Sequence, residues 1–186
     1  MFQVRIHGRG GQGVVSAAEM LSVAAFKEGD YAQAFPSFGS ERMGAPVIAF
    51  CRLDDKEIRL REPVMTPDAL IVQDPTLLHQ VDLFRGLDTR GYLLINSRHS
   101  YQDLGLGDFV RKFPPHHLCT VAATEWALEF VGRPVPNAAL LGAFAAITRR
   151  VKLESVQAAI REKFPGEIGE KNAAAAAKAY DTIRTN

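Results

Sequence analysis

A glycine run near the start of the chain, Gly8-Arg9-Gly10-Gly11-Gln12-Gly13, constrains the fold more than any other feature. It satisfies the pattern G-x-G-x-x-G, which carries meaning only between a strand and a helix. Both flanks qualify. Phe2, Val4 and Ile6 alternate with Gln3 and Arg5, a strand period. Val14, Ala18, Leu21 and Ala25 recur at three- and four-residue steps, one apolar helix face, and Gly29 supplies a stop. Strand, glycine loop and helix leave three uses open. The loop can hold a dinucleotide, hold another anion at the helix N-terminus, or only make a tight turn with close packing. Arg9 adds positive charge to the second of these.

A dinucleotide site needs a ribose-binding carboxylate after the second strand, roughly 20 residues beyond the glycines. Glu28 and Asp30 stand near that distance but precede the next strand-like run, residues 31–35. That run is followed by Pro36-Ser37-Phe38, with no acid. The pattern therefore disfavours NAD. The loop over residues 36–46, with Ser37, Ser40, Glu41 and Arg42, is a second feature with chemical potential. Polar loops at strand ends are where α/β proteins meet ligands and partners.

Further along, residues 47–53 and 57–60 flank Asp54-Asp55-Lys56 and predict a β-hairpin. Residues 69–72 and 92–95 are short apolar runs that read as buried strands, with a helical stretch over 75–84 between them. A further strand is predicted over residues 117–121. From Thr124 the pattern is helical, broken at Gly132-Arg133-Pro134 and at Pro165-Gly166. The fold class is thus α/β: a Rossmann-like mixed sheet with flanking helices, a β-hairpin insertion and a helical C-terminal part.

At 186 residues the chain suits one domain, spanning 1–186. A formal net charge of +1 gives no global reason for nucleic acid or an acidic lipid surface as partner. The longest uncharged run, residues 134–148, is shorter than the ~18 residues of a membrane span. The two cysteines, Cys51 and Cys119, have neither cluster nor zinc-finger spacing. Two free thiols and the lack of a signal-peptide pattern lead us to expect a cytoplasmic protein. Cys51, in an apolar strand, reads as buried and inert. His116 and His117, if neighbours in a strand, point to opposite faces. His117 with Cys119 gives too few ligands for a structural metal site. Trp126, Leu128 and Phe130 read as core or interface. His7 reads as a hydrogen-bonded structural residue, with a functional role left open by its place beside the loop.

Three blocks together are more specific than any one: the glycine run, Tyr31-Ala32-Gln33-Ala34-Phe35-Pro36-Ser37-Phe38-Gly39 with Ser40-Glu41-Arg42-Met43-Gly44-Ala45-Pro46, and Pro136-Asn137-Ala138-Ala139-Leu140-Leu141-Gly142. In these blocks the chain resembles the gamma subunit of 2-oxoacid:acceptor oxidoreductases, the pyruvate:ferredoxin type. The resemblance implies a gamma-type domain within an assembly of alpha, beta and ferredoxin-like delta subunits. In such enzymes a 2-oxoacid adds to thiamine diphosphate, held with magnesium, and is decarboxylated. Electrons leave through iron–sulfur clusters to ferredoxin or NAD, and the acyl group usually passes to coenzyme A. This chain has no Gly-Asp-Gly thiamine motif and no cluster cysteines, so those cofactors are expected on partner subunits. The resemblance also implies a place near the coenzyme A path. Gly8, Gly10, Gly11 and Gly13 would then shape the backbone, with Arg9 and Gln12 as polar contacts. Ser37, Ser40, Glu41 and Arg42 would face the catalytic subunit. Two other readings are a stand-alone NAD(P)-binding oxidoreductase and a regulatory module for a phosphorylated ligand.

Overall fold

The computed structural model describes residues 1–37 and 42–185. Its centre is β1 (Phe2–Arg9), whose alternation separates two environments. Val4 and Ile6 are fully buried on one face, while Arg5 and His7 are buried on the other. The remaining strands are β2 (Tyr31–Pro36), β3 (Pro46–Asp54), β4 (Ala69–Val72), β5 (Tyr92–Asn96) and β6 (Leu118–Val121). They form one sheet in the order β2-β3-β1-β4-β5-β6. β1, β4, β5 and β6 run parallel, whereas β3 runs antiparallel to both β1 and β2. The four uncharged residues of β4 are all buried, as expected of a parallel strand covered on both faces.

The larger core lies between the sheet and five helices: α1 (Val14–Lys27), α3 (Ala123–Val131), α4 (Asn137–Thr148), α5 (Leu153–Lys163) and α6 (Glu167–Thr185). α4 carries the long uncharged run and is buried nearly all round. On the opposite face Leu70, Val72, Leu77, Leu83, Leu93 and Ile95 form a smaller core, packed by Phe84 and Phe109. Phe109 lies on the short α2 (Gly107–Val110). The predicted helix breaks appear where Gly132, at φ 78°, ends α3 and where Pro165-Gly166 separates α5 from α6.

Three expectations need correction. The hairpin exists, but it joins β2 to β3, not residues 47–53 to 57–60. β3 is already paired along both edges, so residues 57–60 have no edge to join. The predicted helix over 75–84 shrinks to one 3-10 turn, Pro75–His79, capped by the Asp74 side chain. His116 and His117 fall in another 3-10 turn, Pro115–His117, ahead of β6. Their rings therefore meet edge to face, with centroids 4.5 Å apart, instead of pointing to opposite faces. No helix among the described residues is long and apolar enough to cross a membrane.

Candidate functional site at the glycine loop

The C-terminal end of β1 is where the candidate residues converge. Gly13 caps α1 in the left-handed region, φ 70°, and Gly11 lies at φ 94°. Only glycine holds such angles without steric cost. The Gly13 carbonyl accepts from the Asn137 side chain at 3.3 Å, and a Cβ on Gly13 would overlap that amide. Two sequence blocks more than a hundred residues apart thus meet at one point.

The second candidate loop closes on the first. The Gly10 N–H donates to the Ala45 carbonyl at 2.9 Å, and the Gly44 N–H donates to the Gly10 carbonyl at 3.0 Å. A Cβ on Gly10 would overlap the Arg42 carbonyl oxygen. Arg42 itself is exposed beside the loop. Ser37 follows β2 at the same end of the sheet, its N–H donating to the Ile48 carbonyl at 2.8 Å. Ser40 and Glu41 lie outside the described residues.

Arg9 and Gln12, expected to be polar ligand contacts, are instead engaged within the protein. The Arg9 guanidinium reaches Asp74 Oδ2 (3.2 Å), the Gly44 carbonyl (3.0 Å), Thr76 Oγ1 (2.8 Å) and Gln80 Oε1 (3.0 Å). The Gln12 amide folds back, accepting from the Arg9 N–H and donating to Asp74 Oδ2, both at 2.8 Å. Thr76 donates its N–H and hydroxyl to Asp74 Oδ1 at 2.9 and 2.6 Å. Partial burial pulls the Asp74 pKa upward. Hydrogen bonds from Thr76 and Gln12 and the Arg9 charge outweigh it, so the carboxyl lies below its ordinary range.

What stays available is backbone. The N–H groups of Val14, Val15 and Ser16 occupy the first helical turn, where no intrahelical acceptor exists. The residues of that turn, with Arg9, Gly10, Gly11, Gly13 and Val47, line a cleft of about 270 Å³. That is below the ~300–1,000 Å³ that enclose a whole drug-sized ligand. It suits one anionic group of a larger molecule. The helix dipole and free N–H groups favour negative charge there.

The NAD expectation fares worse still. The strand beside β1 on the ribose side is the antiparallel β3, so no βαβ unit carries an acid to that position. Glu28 and Asp30 sit at the far end of α1. There Glu28 accepts from the Lys152 N–H at 2.6 Å, and Asp30 pairs with Arg150 at 2.8 Å.

A cavity of about 860 Å³ lies at the opposite end of the sheet, far from the glycine loop. His117 stacks on Tyr92 there, with centroids 4.0 Å apart, and its Nδ1 bonds the Arg90 carbonyl at 2.9 Å. Cys119 also lines it, but burial pushes its thiol up to about 12, so it carries no thiolate at neutral pH. Burial raises the Cys51 thiol further. No cluster of three or more His, Cys, Asp or Glu side chains able to hold a metal occurs among the described residues.

Sequence reading missed Asp74, Thr76, Gln73 and Ser16. Asp74-Pro75-Thr76 does carry a signal, an N-cap acid before proline. Nothing in it pointed to a loop more than sixty residues away.

Fold and loop together define a Rossmann-like α/β domain with an open helix N-terminus, and not a dinucleotide crevice, at the end of β1. The chain belongs to the pyruvate ferredoxin/flavodoxin oxidoreductase family, whose family model matches residues 3–182. Within that family it is of the gamma type. It is 51% identical over 181 residues to the "Pyruvate/ketoisovalerate oxidoreductases common subunit gamma" of Thermococcus kodakarensis, covering 97% of this chain and 96% of that one. The crystal structure of pyruvate oxidoreductase subunit PORC from Thermotoga maritima superposes with a TM-score of 0.79 at 39% identity, covering 97% of this chain and 95% of that one. A 2-oxoglutarate:ferredoxin oxidoreductase from Magnetococcus marinus shares the fold at TM-score 0.70 and 15% identity. That match covers 99% of this chain but 31% of the other.

Proposed function

We propose that this chain is the non-redox gamma subunit of a multi-subunit, thiamine-diphosphate-dependent 2-oxoacid oxidoreductase. The assembly decarboxylates a 2-oxoacid oxidatively, with electrons leaving to ferredoxin or NAD and the acyl group passing to coenzyme A. The similarity to a gamma subunit along nearly the whole chain carries this reading. Thiamine diphosphate, magnesium and iron–sulfur clusters belong to partner alpha, beta and delta subunits. The chain's cysteines support that division, because both are buried and separated.

Within the assembly, the glycine loop holds a phosphate group of coenzyme A. The open N–H groups of α1, the cleft at Gly11 and Gly13, and exposed Arg42 beside it support this role. Ser37, Arg42 and the segment between them face the catalytic subunit. Substrate selection among 2-oxoacids rests on pockets of the other chains.

The test is Arg42→Ala in the reconstituted enzyme. Losing a charged contact to phosphate costs about 1.5–3 kcal/mol, so the KM for coenzyme A should rise at least about tenfold with kcat retained. The isolated chain's melting temperature should hardly move, since Arg42 is exposed. A weakened assembly with an unchanged KM would assign Arg42 to the interface instead. A large loss of stability in the isolated chain, with assembly and kinetics intact, would refute both roles.

A further inference from the structure

We infer that Asp74 is a positioning residue that holds the glycine loop in its anion-binding shape before ligand arrives. The inference rests on the proposed reading that the loop holds a phosphate of coenzyme A. One carboxylate organises both ends of the loop. Asp74 Oδ2 accepts from Arg9 Nε at 3.2 Å and from Gln12 Nε2 at 2.8 Å. Its Oδ1 is fixed by the N–H and hydroxyl of Thr76 at 2.9 and 2.6 Å. Through Gln12 the hold extends to the backbone, because Gln12 Oε1 accepts the Arg9 N–H at 2.8 Å. Through Arg9 it extends to the second loop, at the Gly44 carbonyl.

The neighbouring glycine follows from this arrangement. A Cβ on Gly8 would come within 2.6 Å of Val14 Cγ2, 3.0 Å of Gln12 Oε1 and 3.1 Å of Gln73 Cβ. The Val14 and Gln12 side chains together occupy the space a larger residue would take. The Gln73 amide closes the network from beneath, donating to the Gln12 carbonyl at 2.7 Å. Arg9 and Gln12 consequently act on the ligand through loop shape, and the ligand meets backbone N–H groups already in place. Pre-organisation of this kind raises affinity by removing the cost of ordering on binding.

Asp74→Asn preserves shape but replaces an acceptor with a donor facing two donors. In the full chain without ligand, amide exchange at Arg9 and Gln12 should quicken by about tenfold or more, since a hydrogen bond to a charged group is lost. In the reconstituted enzyme the KM for coenzyme A should rise about tenfold at unchanged kcat. The double variant Gln12→Glu/Asp74→Asn moves the carboxylate across the pair. It lets residue 12 accept from both the Arg9 N–H and the new amide. It should return loop exchange to within about threefold of the wild type, a rescue that general destabilisation cannot produce. If Asp74→Asn does not assemble, Thr76→Val removes the hydroxyl that fixes Oδ1 and should move exchange in the same direction. Unchanged loop exchange in the variant that assembles overturns the inference, as does a double variant no better than Asp74→Asn. Faster exchange with an unchanged KM for coenzyme A supports the positioning role and removes coenzyme A as the ligand of this loop.

Discussion

His7 is the most perturbed titratable group beside the loop. It is 5% exposed, packed in register between Ile48 of β3 and Val72 of β4, with Arg5 on the same strand face. Burial, then the charge of Arg5, lowers its pKa from 6.5 to about 4. An unfolded imidazole takes its proton near pH 6.5, while the buried one resists until about 4. Between those values the unfolded chain binds more protons, so stability falls as the pH falls. The expected loss between pH 7 and 5 is about 2 kcal/mol. Urea unfolding across that range should show a steeper decline for the wild type than for His7→Leu. Equal slopes would mean that His7 takes its proton as readily in the folded chain as in the unfolded one.

Gly13 carries the other residue-scale prediction. Gly13→Ala forces a side chain into the left-handed region and against the Asn137 amide. The cost should be about 1–3 kcal/mol. That lowers the melting temperature by roughly 2–4 °C per kcal/mol in a domain of this size. A neutral or stabilised variant would contradict the close approach of loop and α4. The glycines themselves were legible, because their strand and helix flanks were. Their partners were not. Asn137 and Asp74 reach the loop only once α4 and β4 are placed, and a single Asn or Asp carries no sign of its tertiary contact.

At the scale of elements, α4 and α6 cross where Gly142 lies against the Ala176 backbone. A Cβ on Gly142 would overlap the Ala176 carbonyl, which no rotamer change relieves. Gly142→Ala should therefore cost about 1–3 kcal/mol by overpacking, although alanine is the better helix former. Unfolding by denaturant measures this. A gain in stability would show that the helices lie further apart. The helices after Thr124 were readable from apolar spacing and from breaks at Gly132 and Gly166, whereas the helix expected over 75–84 is a single 3-10 turn. Strand pairing was harder to read. Residues 57–60 alternate like a strand, but their pairing depends on which edges of β3 are free. β1 and β2 occupy both, and the pairing with β1 is not local in sequence.

For the molecule as a whole, the sheet places the glycine loop, the end of β2 and the Asp74 turn at one end, and the cavity beside His117 at the other. The end that carries the loop also exposes Arg42 and Met43, the latter 86% accessible. A large exposed side chain beside a ligand cleft suits a surface completed by another subunit. By itself the purified chain should be colourless and inactive towards any 2-oxoacid, because the proposed function places the redox and thiamine chemistry on partner subunits. The most direct measurement is native mass spectrometry of the complex recovered through this chain, with 2-oxoacid-dependent acceptor reduction assayed on the same sample. The account predicts co-elution with larger subunits that carry thiamine diphosphate and iron–sulfur clusters, and activity that is lost when this chain is removed. A chain recovered alone, or a complex whose decarboxylation is indifferent to its removal, would contradict it.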